Sequence, residues 1–132
     1  ILVTEEIGAA MQPGDHGTTF GGGPFVTSVA RHVLNRVADP VLLESVRTNG
    51  EWLGSALRDM ANRTGRIREV RGVGFIWGVD VHEPAAEVIP RARAEGLLMV
   101  GAGDHTLRIL PPLIATQADL AEGVSRLERA LG

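Results

Sequence analysis

Apolar positions recur at helical spacing in four stretches of this chain and alternate at strand spacing between them. Val26, Val29, Val33 and Val37 follow Pro24, a residue suited to a first helical turn, and predict a helix with one buried face. Asp39-Pro40 is a cap-plus-proline start for a second helix, whose stripe runs through Leu43, Val46, Leu53, Leu57 and Met60, with Gly50 on the same face, to about Gly65. Ile67 to Arg71 predicts a strand of mixed facing, Gly72-Val73-Gly74 a bend or bulge, and Phe75, Trp77, Val79 and Val81 a half-buried strand. A third helix opens at Pro84, with Ala86, Ile89, Ala92 and Ala94 on its inner side and Gly96 ending it. Strands are expected at Leu97–Val100 and at His105–Leu110, the latter stopped by Pro111-Pro112. Thr116 then caps a last helix striped by Leu120, Val124, Leu127 and Leu131. At the start, Ile1-Leu2-Val3 predicts the end of a strand, and Thr4 caps a short helix closed by Pro13-Gly14. This order predicts an α+β fold, an antiparallel sheet with helices on one face. The domain boundary falls near Ala38–Asp39, within roughly four residues.

Composition narrows the possibilities. The chain has 132 residues, 44% apolar and 22% charged, with net charge −3, as expected of a water-soluble domain able to bury its own core. The charge calls for neither nucleic acid nor an anionic membrane surface, and no apolar run is long enough to span a bilayer. There is no cysteine, hence no disulfide framework and no thiolate chemistry, which suits a cytoplasmic protein. His16, His32, His82 and His105 lack ligand spacing, so no metal site is expected. Ile1 is not a natural start, and the chain reads as a piece of something longer. All 13 basic residues are arginine; chemistry that needs a lysine amine cannot come from these residues.

One stretch concentrates candidate chemistry. Residues 13–24, PGDHGTTFGGGP, hold adjacent hydroxyls and five glycines just before a predicted helix start. Hydroxyls, free amides and the positive end of a helix dipole suit an oxyanion or phosphate. The stretch matches neither standard phosphate-loop pattern, and a plain glycine-rich connection remains the alternative.

Within it, His16-Gly17-Thr18-Thr19-Phe20-Gly21-Gly22 resembles the His-Gly-(Ser/Thr)-Thr-(Phe/Tyr)-Gly-Gly-Asn-Pro segment of class III aminotransferases, with Gly23 where the family has Asn. Val70-Arg71-Gly72-Val73-Gly74-Phe75-Ile76-Trp77-Gly78 resembles the family's Val-Arg-Gly-x-Gly-Leu-Met-x-Gly. Leu107-Arg108-Ile109-Leu110-Pro111-Pro112-Leu113 resembles its Leu-Arg-Leu-Leu-Pro-Pro-Leu. The three motifs keep the family order and are most like the acetylornithine and ornithine aminotransferases. They cover essentially this whole chain but only the C-terminal part of the family's. The resemblance implies the aspartate-aminotransferase-like fold: residues 1–38 would be the tail of the large domain that binds pyridoxal phosphate, and residues 39–132 the small C-terminal domain. It also implies a homodimer that moves the terminal amino group of an ornithine-like donor to 2-oxoglutarate, in arginine biosynthesis. The lysine that holds the cofactor as a Schiff base would lie upstream of Ile1, so these residues alone are expected to be inactive, with no catalytic residue of their own.

Site residues carry over one by one. Thr19 would bind the cofactor phosphate across the dimer interface; the alternative is a capping hydroxyl. Thr18 would touch substrate from the neighbouring subunit, or be a solvated loop hydroxyl. Arg108, a guanidinium between Leu107 and Ile109 in a strand, would take a substrate carboxylate; the alternative is a structural ion pair. His16 is expected to order the loop rather than act as a base, Asp15 to point outward, and Arg71 and Trp77 to be framework. The remaining readings are another class III enzyme (acting on 4-aminobutyrate, succinylornithine or aminoadipate semialdehyde) and a non-catalytic domain that binds a partner or an anion.

Overall fold

The computed structural model describes residues 3–12, 14–15 and 17–132. The expected strand end at Ile1-Leu2, the stop at Pro13 and the role of His16 lie outside the described residues. The chain divides into two compact units, Ile1–Val37 and Ala38–Gly132.

The first unit carries α1 (Glu5–Ala9) and α2 (Pro24–Val37). Thr4 caps α1, its Oγ1 accepting from the Ile7 amide at 3.4 Å, with Glu5 and Glu6 placed where negative charge favours a helix start. Helix α2 begins at Pro24 as expected, but its valine stripe is not buried. None of its residues is, and Phe25 is 82% exposed. Helical spacing specifies a face, not its cover. The described residues of this unit supply none.

The second unit holds α3 (Pro40–Thr64), β1 (Ile67–Val73), β2 (Ile76–Val81), α4 (Ala85–Ala94), β3 (Val100–Gly101), β4 (Thr106–Ile109) and α5 (Gln117–Leu131). Asp39 caps α3 through the Val41 amide at 2.8 Å, and Gly65 closes it in the left-handed conformation. The sheet runs β1-β2-β4-β3, antiparallel throughout. Trp77, Val79 and Val81 of β2 and Leu107 of β4 face a core shared with Leu53, Leu57 and Met60 of α3, Val88 of α4, and Leu120, Leu127 and Leu131 of α5. Each fully buried Leu or Val there contributes about 1.5–3 kcal/mol. The result is the α+β sheet with helices on one face.

Two glycines set how closely α3 lies on the sheet. A Cβ on Gly50 would stand 2.4 Å from the Gly74 carbonyl oxygen, and one on Gly54 would stand 2.3 Å from the Trp77 ring. Trp77 is held in turn by its Nε1–H donating to the Gly74 carbonyl at 2.7 Å, with the Arg58 guanidinium over its ring.

Several details depart from the pattern. β1 continues to Val73, and the irregularity lies at its start, between Ile67 and Glu69. Leu43 is exposed. The buried face of α4 is Ala85, Val88 and Ala92, while Ala86 and Ala94 point outward; with alanines on both candidate faces, hydrophobicity did not separate them. The expected strand at Leu97–Val100 shrinks to Val100–Gly101, because Leu97 and Met99 pack against the core instead of pairing.

Candidate functional site

In the first unit, residues 17–23 form an exposed loop before α2. Thr18 Oγ1 accepts from the Gly21 amide at 3.1 Å, a local turn that folds the loop back on itself. A Cβ on Gly21 would lie 2.1 Å from Thr18 Cγ2, so this turn needs glycine there, and Gly22 has φ +76. The Thr19 hydroxyl makes no hydrogen bond among the described residues and is free to donate to an anion. Thr18 can still donate its proton, although its oxygen is engaged. Asp15 is exposed, its Oδ2 accepting from the Gln12 amide at 2.7 Å. Thr27 closes the α2 start, bonding back to the Gly23 carbonyl at 3.0 Å.

In the second unit, the face of the sheet opposite the helices carries a polar patch, with exposed Val73, Ile76 and Val100 on the same face. Antiparallel register aligns Arg71 of β1, Gly78 of β2 and Arg108 of β4 in one row, and Glu69, Asp80 and Thr106 in the next. Arg71 donates to Glu69 Oε2 at 2.8 Å and to Thr106 Oγ1 at 3.3 Å. The Thr106 hydroxyl donates a hydrogen bond to Asp80 Oδ1 at 3.2 Å, and Arg68 approaches the other Asp80 oxygen at 3.8 Å. Arg108 is exposed and has no hydrogen-bond or ion-pair partner among the described residues. It shares a cavity of about 390 Å³ with Arg71, Gly78, Trp77, Ala102 and Thr106. A free guanidinium in an open, otherwise neutralised cavity is chemically suited to a carboxylate.

Thr18 and Thr19 thus belong to one unit and Arg108 to the other. Arg68, Asp80 and Thr106 were not singled out from sequence. Their signal was the alternation itself, since residues between Val79 and Val81 or beside Leu107 must face away from the core. An apolar hollow of about 290 Å³ also lies between Leu53, Met99, Leu110, Pro112 and Leu127. Among the described residues no group of acids and histidines is arranged to hold a metal, and no helix is long and apolar enough to cross a membrane.

Residues 1–131 match the family model for aminotransferase class III. The chain belongs to the class III aminotransferases. It is 39% identical to an acetylornithine aminotransferase of Neisseria meningitidis serogroup B, covering 99% of this chain and 34% of that protein. It is 40% identical to one of Bradyrhizobium diazoefficiens, covering 98% and 32%. Among solved structures it resembles an acetylornithine aminotransferase from Elizabethkingia anophelis with TM-score 0.83 and 28% identity, over 98% of this chain and 35% of that one. An ornithine aminotransferase from Plasmodium yoelii aligns with TM-score 0.85 at 25% identity, again over 98% and 35%. This class III chain therefore spans about a third of the relatives it matches.

Membership in class III implies pyridoxal phosphate in the parent enzyme. The residues present fit that group in part. Among the described residues the Thr19 hydroxyl has no partner and could hold a phosphate, whereas the sequence has no lysine amine to hold the aldehyde.

Proposed function

We propose that these residues form the C-terminal part of an acetylornithine- or ornithine-type aminotransferase, with residues 1–38 the tail of its cofactor domain and residues 39–132 its small domain. The parent reaction exchanges the terminal amine of an ornithine-like donor with the oxo group of 2-oxoglutarate, in arginine biosynthesis. It takes place in a cytoplasmic homodimer. Pyridoxal phosphate, when bound, acts as the electron sink. Thr19 donates its hydroxyl proton to the phosphate of the partner subunit's cofactor, and Thr18 touches substrate in that subunit's site. Arg108 binds and orients substrate carboxylates by paired N–H donation. The observation that carries this reading is the Arg108 guanidinium on the open sheet face, unpartnered among the described residues, in the motif that places it three residues before Pro111-Pro112.

Alone, these residues are inactive, because the proton-relaying amine is not among them. The test is transaminase activity with acetylornithine and 2-oxoglutarate, first of this chain and then of the chain joined to an upstream segment bearing the lysine. Activity is expected only in the second. There, Arg108→Ala should weaken binding of both carboxylate substrates; normal kinetics for both would reject the assignment. The lack of lysine favours one other reading, a non-catalytic domain that binds an anion or a partner. An inactive joined chain that still bound 2-oxoglutarate would favour it.

A further inference from the structure

Among the described residues, Arg108 is the guanidinium on this sheet face with no partner, and two carboxylates lie on the same face. Glu69 and Asp80 are the acidic residues of β1, β2 and β4, and both belong to the row next to Arg108. Asp80 is its diagonal neighbour on the adjacent strand, within reach of a long side chain. Glu69 lies one strand further, across Gly78, which presents no side chain to block the way. An arginine so placed is expected to fold down onto its own sheet and pair with one of them.

Both carboxylates are already occupied. Arg71 pairs with Glu69 at 2.8 Å, and its stem runs over Gly78, where a Cβ would lie 3.7 Å from its Cγ and 3.8 Å from its Nε. Asp80 is held from two sides, by the Thr106 hydroxyl at 3.2 Å and by Arg68 at 3.8 Å. Arg68 is itself anchored, donating to the His82 carbonyl at 2.9 Å and to His82 Nδ1 at 3.3 Å. The Arg71 to Thr106 bond ties the two pairs into one network across three strands.

We propose that Arg68 and Arg71 are positioning residues for Arg108: by occupying Asp80 and Glu69, and by covering the gap at Gly78, they keep the Arg108 guanidinium free for a substrate carboxylate. The inference rests on the carboxylate role proposed for Arg108 and adds what protects that role. Arg71 is thereby more than framework.

Phenylglyoxal modification of the 132-residue chain, read at each arginine by mass spectrometry, tests it without requiring catalysis. A guanidinium locked in an ion pair reacts more slowly than a free one. Arg71→Gln should slow modification of Arg108 by about two- to fivefold, the range an exposed ion pair supports, and Glu69→Gln in that background should restore the rate. Arg68→Gln with Asp80→Asn provides the parallel pair, so a single misfolded variant does not end the test. Unchanged Arg108 reactivity in both single variants overturns the proposal. So does slowing that the second substitution fails to restore, because loss of structure is not repaired by removing an acid. Protection of wild-type Arg108 by 2-oxoglutarate is read separately. Its absence counts against the carboxylate role of Arg108, whereas its presence with unaltered variant rates counts against the positioning role alone.

Discussion

At the scale of single residues, the informative positions are those where a side chain is missing or unpaired. Gly21 cannot gain a methyl group without striking Thr18. Gly21→Ala in the active, joined enzyme should therefore break the Thr18 turn and raise the concentration of pyridoxal phosphate needed for half-saturation. Thr19→Ala should do the same by removing the donor itself, and a cofactor titration of activity measures both. Unaltered half-saturation in Thr19→Ala would remove it from the phosphate site. Arg108 and Arg71 are both exposed strand arginines in one row, and only packing of charge separates them: Arg71 is paired with Glu69, and Arg108 has no partner among the described residues. The motif identified Arg108 from sequence, but nothing local distinguished its state from that of Arg71.

At the scale of elements, caps were legible and faces were less so. Thr116 and Asp119 bond to each other's backbone amides at the start of α5, Asp119 Oδ2 accepting at 2.9 Å from the Thr116 amide. Thr116→Ala should cost about 1 kcal/mol of stability in thermal or denaturant unfolding. The Thr116 hydroxyl, then its amide, hold the Asp119 carboxyl below its ordinary pKa. A lowered folded pKa means that this stabilisation is present above the unfolded value, about 4, and is lost as pH falls through the folded one. Between pH 7 and 3 the wild type should lose more stability than Asp119→Asn; parallel losses would deny the cap its ionic part. Stripes dense in leucine predicted burial at Leu53, Leu57 and Met60 of α3 and at Leu120, Leu127 and Leu131 of α5, where only one face was apolar enough to enter a core, but not at Leu43, which is exposed near the start of α3. In α4, alanine on both sides left the choice to packing.

At the scale of the molecule, the buried core draws all its members from the second unit, from Leu53 to Leu131, whereas α2 buries none of its residues. Amides of α3, β1, β2 and β4 should therefore exchange with deuterium far more slowly than those of α2. Equal protection would show that the valine stripe of α2 is covered in solution. Leu57 has no exposed surface, and Leu57→Ala should cost about 2–5 kcal/mol in denaturant unfolding.

The sequence by itself determined the helix starts, the alternation of β2, the α+β order, the family through three ordered motifs, and the absence of a lysine. These are local or covalent properties, written in neighbouring residues. Only the tertiary structure decided that β4 pairs with β2 so that Arg71, Gly78 and Arg108 align, that Thr106 and Asp80 complete a polar network beside them, and that Arg108 alone in its row stays unpaired among the described residues. Pairing across strands joins residues about 30 positions apart. Which charge meets which is set by register and competition among partners, and no single segment of the chain contains that information.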